Sequence, residues 1–262
     1  MRQDERAPFV RALERARAAA YDPGEYVGQE SFMLASEILD LAGRAGVAPG
    51  TTVLDLCCGI AGPGRHVTRA LGCAYLGVDS SASAIAIARA RAGDLPCRFT
   101  VGLVPPVPAG PFDVVLLLET LLAFPDKEPL FAAVAAALDG GGRFAFTLEE
   151  GRPLDDAERA AMPDADTVWL TPLEQVRAML ARVGLTVRWQ GDHTGSHRLA
   201  VDALLAAFAA DAPAIAEQVG GRAVEELLAA HRLWSDWLRD GRVRKIAGVA
   251  EKAEPAPGAP RR

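Results

Sequence analysis

The chain has 262 residues, of which 50% are hydrophobic and 24% are charged, and its net charge is −6 at pH 7. This length suits one domain, or one domain with an elaboration, and is enough to bury a full hydrophobic core. The mildly acidic balance and the lack of a basic stripe argue against a nucleic-acid partner. No apolar run approaches the roughly 20 residues that a bilayer requires, and the N-terminus lacks the apolar core of a signal peptide, so we expect no membrane association.

Four unevenly spaced cysteines lie in the first half of the chain, at Cys57, Cys58, Cys73 and Cys97. Their spacing fits neither a disulfide framework nor a CxxC metal site. We therefore expect reduced thiols, a cytoplasmic location and no bound metal.

The hydrophobic pattern divides the chain into an N-terminal part, a main domain and a tail. Residues 1–48 are predicted to be helical, with a break at 22–24 and a second helix over 31–45, and are interpreted as a helical lid. Residues 49–252 form the main domain, within which 192–241 are a helical insertion before the last strand. The Pro- and Ala-rich residues 253–262 are predicted to be a disordered tail.

Within the main domain, short apolar strands alternate with helices. Such continuous apolar strands are typical of a parallel sheet covered on both faces, so we predict an α/β fold with a doubly wound, Rossmann-like, seven-stranded sheet. The predicted strands cover 52–57, 74–78, 97–101, 112–118, 142–148, 185–190 and 245–251. The predicted helices lie near 63–71, 81–92, 127–138 and 172–183.

The most informative stretch is 52–65, TVLDLCCGIAGPGR, which predicts an apolar strand, a tight turn of small residues and the start of a helix. Twenty residues after Gly59 comes Asp79, at the end of the second predicted strand. A small-residue turn after one strand and a carboxylate at the end of the next is typical of an α/β crevice that holds a nucleoside. The turn admits the ligand close to the backbone, and the carboxylate accepts both ribose hydroxyls.

The motif DLCCGIAG at 55–62, followed by Asp79, resembles the class I S-adenosylmethionine-dependent methyltransferases. The first motif of that family is an acid followed by three alternating glycines. This chain keeps the acid, Asp55, and the middle glycine, Gly59, and has small residues, Cys57 and Ala61, at the outer positions. The similarity continues at GPFDVV (110–115) and LDGGGRF (138–144), and covers roughly 50–191 and 243–252.

The resemblance implies S-adenosylmethionine as the cofactor and a small molecule as the methyl acceptor. It places the turn against the methionine part of the cofactor, with Asp55 meeting that end directly or through water and Asp79 on the ribose. The family often has an acid after the third strand that meets the adenine, and this chain has Val-Gly-Leu at 101–103 instead. The full set of cofactor residues that the resemblance implies is Tyr26, Gln29, Asp55, Cys57, Gly59, Ala61, Asp79, Ser80, Leu103, Glu119 and Leu121.

The segment 21–31 contains two of the chain's three tyrosines, Tyr21 and Tyr26, together with Gln29. In small-molecule members of the family such a segment folds over the cofactor as a lid. Excluding water and aligning the reactants supply most of the catalysis for transfer from a sulfonium. The alternative is that the two tyrosines anchor the N-terminal helices to the sheet.

The sequence leaves the methylated atom, N, O or C, open. It lacks the motifs of methylases that act on nucleic-acid bases, which leaves small molecules as acceptors. Candidates for proton removal at the carboxyl edge of the sheet are His193, Glu119, Glu149 and Tyr21. His193 leads, because an imidazole titrates near physiological pH and pairs with a neighbouring carboxylate such as Asp192 or Glu150. Each of His193 and His197 is as well explained by capping the next helix or bridging the backbone, and catalysis by positioning alone stays an alternative.

Two other functions fit parts of the motif. A nicotinamide-dependent oxidoreductase would use the turn from Gly59 to Gly64 as G-x-A-x-x-G and Asp79 for the ribose, but it leaves Asp55 unexplained, and the chain has no Tyr-x-x-x-Lys pair. A partner-binding module derived from a cofactor fold would show a degraded motif, whereas both acids are intact. The oligomeric state is open, and a homodimer is compatible with the sequence.

Overall fold

The computed structural model of the protein describes residues 11–254, so most of the predicted tail lies outside the described residues. The strands are β1 (Thr52–Leu56), β2 (Ala74–Asp79), β3 (Cys97–Val101), β4 (Phe112–Leu117), β5 (Leu138–Glu150), β6 (Leu185–Asp192) and β7 (Arg244–Lys252). The helices are α1 (Arg11–Ala20), α2 (Ala35–Arg44), α3 (Gly62–Leu71), α4 (Ala82–Ala92), α5 (Glu128–Ala137), α6 (Asp156–Ala161), α7 (Leu173–Arg182), α8 (Thr194–Ala210), α9 (Ala212–Val219) and α10 (Gly221–Arg239).

All seven strands form one sheet in the order β3-β2-β1-β4-β5-β7-β6. The pairs from β3 to β5 are parallel, and β7 runs antiparallel to both of its neighbours. The predicted doubly wound, seven-stranded α/β fold is confirmed. The strand order reverses between β1 and β4, and ligands of open α/β sheets bind beyond the carboxyl ends of the strands at such a point.

Helices cover both faces of the sheet. Because successive side chains of a strand point to opposite faces, the neighbouring residues Val53 and Leu54 of β1 belong to two different cores. One core receives the apolar faces of α2, α3 and α4, and the other those of α5 and α7. The strands are therefore apolar on both sides, which explains the continuous hydrophobic runs in the sequence.

A third core joins α1 to the helical insertion. Ala12 and Ala16 of α1 pack with Leu204 and Phe208 of α8 and with Ile215 of α9. The N-terminal helix and the insertion thus share one apolar interface, although about 190 residues separate them. Among residues 11–254 no single helix is long and apolar enough to span a membrane, and α8 and α9 reach that length and composition only together, across a 77° bend.

The structure differs from the predicted elements in three places. Helix α2 begins at Ala35 and not at 31, because the Glu37 carboxylate accepts a hydrogen bond from the backbone N–H of Leu34 and caps the helix there. Strand β5 begins at Leu138, earlier than 142, and includes the three glycines. Helix α6 was not predicted, although Asp155 and Glu158 form a capping box that the sequence displays.

Candidate active site

The turn after β1 is held in a left-handed backbone conformation at alternate residues. The φ angles are 59° at Cys57, 54° at Gly59 and 55° at Ala61, which is also the residue before α3. A Cβ atom built on Gly59 would meet no atom within 4 Å, so the space in front of the turn is open. The turn can therefore receive a ligand against its backbone, as the sequence predicts.

Asp79 ties this turn to the end of β2. Its Oδ2 accepts a hydrogen bond from the N–H of Gly59 at 2.8 Å, and its Oδ1 accepts one from the N–H of Ser81 at 2.8 Å. Each carboxylate oxygen keeps a further lone pair, and the side chain is only partly buried. The carboxylate is thereby oriented and still free to accept two ribose hydroxyls.

Exposed apolar surface lies beside Asp79. Val101 is its register partner in β3 and is 46% exposed, and Leu103 is 70% exposed. Ser80, which follows Asp79, is exposed as well. The crevice therefore combines a polar carboxylate with an apolar flank, as a nucleoside requires.

Asp55 and Leu121 do not face this crevice. Asp55 is 3% exposed and accepts a hydrogen bond of 2.5 Å from the Tyr75 hydroxyl. Burial, with a contribution from the negative charge of Asp79, raises the pKa of Asp55 to about 7. Leu121 has no exposed surface and packs in the core with Leu117. Neither side chain offers surface to a ligand in this structure, so the predicted cofactor contacts of Asp55 and Leu121 receive no support from their positions.

The N-terminal segment lies directly on the turn. A Cβ atom on Gly62 would come within 2.5 Å of the Val27 carbonyl oxygen and 2.6 Å of Gly28, so the two backbones touch. Gln29 is 1% exposed: its Oε1 accepts a hydrogen bond from the N–H of Val27, and its Nε2 donates to the carbonyl oxygens of Glu25 and Met33. Gln29 holds the segment in shape: both N–H groups of its amide are used within the segment, and its Oε1 keeps one lone pair.

Tyr21 and Tyr26 serve as anchors in this structure. The Tyr21 hydroxyl donates a hydrogen bond to the Ser31 carbonyl oxygen at 2.5 Å, and its ring packs on Tyr26 with centroids 5.7 Å apart. Burial, with a contribution from Glu119, raises the pKa of Tyr21, so its hydroxyl stays protonated at neutral pH and cannot take up a proton. The prediction that Tyr21 removes a proton is therefore not supported by its surroundings.

A cavity of about 220 Å³, called the edge cavity below, lies between the carboxyl edge of the sheet, the N-terminal segment and the helical insertion. It is somewhat smaller than the roughly 300–1,000 Å³ of typical small-molecule sites. Its apolar wall comprises Phe32, Leu122, Leu204, Phe208, Trp234 and Leu238. Its main polar groups are Arg17, Glu30, Glu119, Glu149, His197, His231 and Lys245.

Three buried charges lie at the base of the edge cavity. The Lys245 ammonium, at the start of β7, contacts the carboxylates of both Glu119 and Glu149. Burial opposes the charged ammonium, but the two carboxylates prevail and raise the pKa of Lys245. Burial would raise the pKa of Glu119, but the charges of Lys245 and His197 outweigh burial and lower that pKa. The sequence predicts only a strand at Lys245. A lysine in an otherwise apolar strand is, however, expected to be buried only where a group of opposite charge pairs with it.

One oxygen of this cluster is left without a partner. Oε2 of Glu149 is buried and accepts no hydrogen bond from residues 11–254. The two carboxylates and the one ammonium also leave a net charge of −1 at the base of the cavity. An unpaired buried acceptor costs free energy, so this position favours a ligand that donates a hydrogen bond.

The two histidines of the insertion are placed differently from the prediction. His193 precedes α8, and its Nδ1 lies 3.5 Å from Oε1 of Glu37 and does not line the edge cavity. Asp192 accepts hydrogen bonds from the N–H of Thr194 and from Arg244, and Glu150 lies 3.7 Å from Arg244. The predicted pairing of His193 with Asp192 or Glu150 is therefore wrong.

His197, one helical turn later, does line the edge cavity and is fully buried. Its Nδ1 lies 3.8 Å from Oε2 of Glu119, and its Nε2 lies 3.4 Å from Oε2 of Glu37. The spacing of four residues from His193 was visible in the sequence, but Glu37 and Glu119 come from distant elements. Of the residues predicted for proton removal, the structure brings Glu119 and Glu149 together and leaves His193 and Tyr21 outside the cavity.

Comparisons with known proteins agree with this layout. Residues 53–142 match a family model described as a methyltransferase domain. Methyltransferase GfsG of Streptomyces halstedii is 26% identical over 186 residues, which are 67% of each chain. Sterol 24-C-methyltransferase erg6 of Schizosaccharomyces pombe is 32% identical over 110 residues, or 40% of this chain, but the match spans only 29% of that protein. The cyclopropane synthase MmaA2 from Mycobacterium tuberculosis has the same fold, with a TM-score of 0.80 at 15% identity over 93% of this chain and 95% of that one.

Proposed function

We propose that the chain is a class I S-adenosylmethionine-dependent methyltransferase and that it methylates a small-molecule acceptor bound in the edge cavity. The observation that carries this proposal is the position of Glu119. It follows β4, the strand next to β1, and it lines the cavity. The crevice at the glycine turn and the edge cavity therefore adjoin at the point where the strand order reverses. The oxidoreductase alternative receives no support from the matched family model.

The residues at the glycine turn fit S-adenosylmethionine. The open face of Gly59 admits the methionine end against the backbone, and Asp79 accepts the ribose hydroxyls. Val101 and Leu103 offer apolar surface to the adenine ring. When bound, the cofactor supplies an electrophilic methyl group on a sulfonium. The contribution of the N-terminal segment, which packs on Gly62, is to exclude water from that group.

The acceptor we infer is a small, mainly apolar molecule with one amine or other hydrogen-bond-donating group. Its donor satisfies Oε2 of Glu149, the buried oxygen that has no partner within residues 11–254. A positive charge on the acceptor would balance the net charge of −1 left by Glu119, Glu149 and Lys245. The aromatic ring of Trp234 in the wall stabilises such a charge further. A protonated amine has no lone pair with which to attack the methyl group, so it first passes one proton to Glu149 rather than to His193; its nitrogen then takes the methyl group as the bond to the sulfonium sulfur breaks.

Calorimetric titration tests the cofactor assignment. S-adenosylhomocysteine should bind and NAD should not. Asp79→Ala should weaken binding by about 2–4 kcal/mol, because two ribose hydroxyls lose a charged partner, and Asp79→Asn should fall between. Asp113→Ala is the matched control, since Asp113 bonds to Thr52 at the opposite end of the strands. Unchanged affinity in folded Asp79 variants would sink the assignment.

A second titration tests the acceptor. In protein saturated with S-adenosylhomocysteine, amines should bind better than alcohols or alkanes of the same shape. Glu149→Gln should weaken amine binding about 10- to 100-fold, since a hydrogen bond to a charged group is worth about 1.5–3 kcal/mol. Binding of S-adenosylhomocysteine itself should be unchanged. Equal affinity for amines and their alkane isosteres would show that the inferred acceptor class is wrong.

A further inference from the structure

We propose that Glu37, His193 and His197 bind one divalent transition-metal ion, with Zn²⁺ as the ion that best fits the donors. The site lies beside the edge cavity, where α2 meets the start of α8. The sequence predicts no bound metal, and this proposal departs from that prediction.

The donor atoms lie within reach of a single metal ion, with the two shortest distances running to different oxygens of the Glu37 carboxylate. Nδ1 of His193 lies 3.5 Å from Oε1 of Glu37, Nε2 of His197 lies 3.4 Å from Oε2, and the three residues offer atoms that all lie within 4.8 Å of one another. In a tetrahedral site with bonds of about 2.0–2.1 Å, neighbouring donors are about 3.3–3.4 Å apart. The same separations are longer than the roughly 2.7–3.2 Å of ordinary N–H···O hydrogen bonds. Two imidazoles and a carboxylate are a donor set typical of zinc.

Three of the histidine ring nitrogens form no hydrogen bond within the described chain. Nδ1 of His193 and both ring nitrogens of His197 are buried without a hydrogen-bond partner in residues 11–254. His197 is fully buried, so leaving both of its nitrogens unpaired is unfavourable. The four-residue spacing at the start of α8 sets both rings on one side of the helix, as in helical His-x-x-x-His zinc ligands.

The residues around these donors would orient them for a metal. Oε2 of Glu119 lies 3.8 Å from Nδ1 of His197, the nitrogen opposite the proposed metal-binding one. Ligating histidines almost always donate their second N–H to a carboxylate, a carbonyl oxygen or water, and Glu119 is the carboxylate that faces this nitrogen, at a distance longer than a hydrogen bond. The Glu37 carboxylate is fixed by the Ser196 hydroxyl and by the backbone N–H of Leu34. The Glu37 and His193 side chains are 14% and 15% exposed, which leaves access for water as a fourth ligand.

The bound ion would hold helices and side chains in place and would take no part in the methyl transfer itself. Of its three ligands only His197 lines the edge cavity, and His197 in turn faces Glu119. The ion therefore does not touch the acceptor. It joins α2, which continues the N-terminal segment, to the helical insertion, and it fixes the histidine behind Glu119.

Metal titration of the untagged, chelator-treated full chain tests this proposal. We expect one Zn²⁺ per chain, a raised melting temperature and, with Co²⁺, the visible absorption of a tetrahedral site. His193→Asn and Glu37→Gln should each weaken binding by about 100-fold or more, and Glu119→Gln by about 10- to 100-fold. His66→Asn, in α3 and outside the cluster, is the matched control and should bind as the wild type does.

Hydrogen exchange gives a readout that is independent of activity. Zn²⁺ should slow exchange in both α2 and the first turns of α8. Failure of the wild type to bind Zn²⁺ or Co²⁺ stoichiometrically would overturn the proposal, as would equal binding by His193→Asn and His66→Asn. In that case the three residues form an ion-pair network only. Should a ligand variant not fold, the Co²⁺ spectrum of the wild type decides by itself.

Discussion

The glycine-turn crevice and the edge cavity both lie at the carboxyl edge of the sheet but are built in different ways. The crevice comes from one continuous stretch, with Asp79 added, and it depends on backbone conformation and backbone N–H groups. The edge cavity draws its lining from the N-terminal segment, the ends of β4, β5 and β7, and two helices of the insertion. It depends on buried side-chain charges. Backbone geometry suits a ligand common to a whole family, whereas side chains from distant elements can change with the acceptor.

The largest effect should follow from removing the ammonium at the base of the edge cavity. Lys245→Met leaves Glu119 and Glu149 buried without their counter-charge, and breaking such a buried pair costs about 3–5 kcal/mol. Urea unfolding at neutral pH measures the loss. Adding Glu149→Gln to Lys245→Met removes one of the two stranded charges and should recover part of the stability.

The neighbouring Arg244 provides the control for this variant. It lies one residue earlier and makes a half-exposed ion pair with Asp192 at 3.0 Å. Exposed pairs of this kind contribute about 0–1 kcal/mol, so Arg244→Met should change the free energy of unfolding little. Similar losses in the Lys245 and Arg244 variants would mean that the edge cavity does not depend on buried charge.

The difference between a crevice built from one stretch and a cavity built from distant elements explains what the sequence could predict. The turn and Asp79 follow from local spacing, because a strand, a small-residue turn and the end of the next strand are close in sequence and in space. Lys245, Phe32 and His197 meet only after the sheet has ordered its strands and the insertion has folded back. Their proximity depends on packing between α1, α8 and α10, which no local pattern encodes. The direction of individual side chains, as for Asp55 and Leu121, was missed for the same reason.

A smaller effect is expected where the N-terminal segment touches the crevice. In Gly62→Ala the added Cβ would lie 2.5 Å from the Val27 carbonyl oxygen, and overpacking of this kind costs about 1–3 kcal/mol. Hydrogen exchange over residues 21–29 should become faster. Gly43→Ala is the matched control: Gly43 is in α2, a Cβ there meets nothing within 4 Å, and we expect a gain of roughly 0.5–1 kcal/mol. Unchanged exchange in Gly62→Ala would show that the segment does not rest on the turn in solution.

The last effect concerns the carboxyl beneath the crevice and is seen only as a change of stability with pH. Burial disfavours the charged form of Asp55 and raises its pKa to about 7 in the folded protein, against an ordinary value of 3.8. Between these two values the folded state binds one proton more than the unfolded state, so Asp55 makes the free energy of unfolding fall as pH rises from about 4 to 7. The slope is at most about 1.4 kcal/mol per pH unit, and it vanishes above the folded pKa.

The variant Asp55→Asn tests this pH dependence. Its side-chain carbonyl still accepts a hydrogen bond from the Tyr75 hydroxyl, but the side chain binds no proton. The difference in free energy of unfolding between variant and wild type should therefore grow in favour of Asn from pH 5 to pH 7 and then stay constant. Parallel stability curves for the two proteins would show that Asp55 is ionised throughout, and that the crevice, like the edge cavity, contains a buried charge.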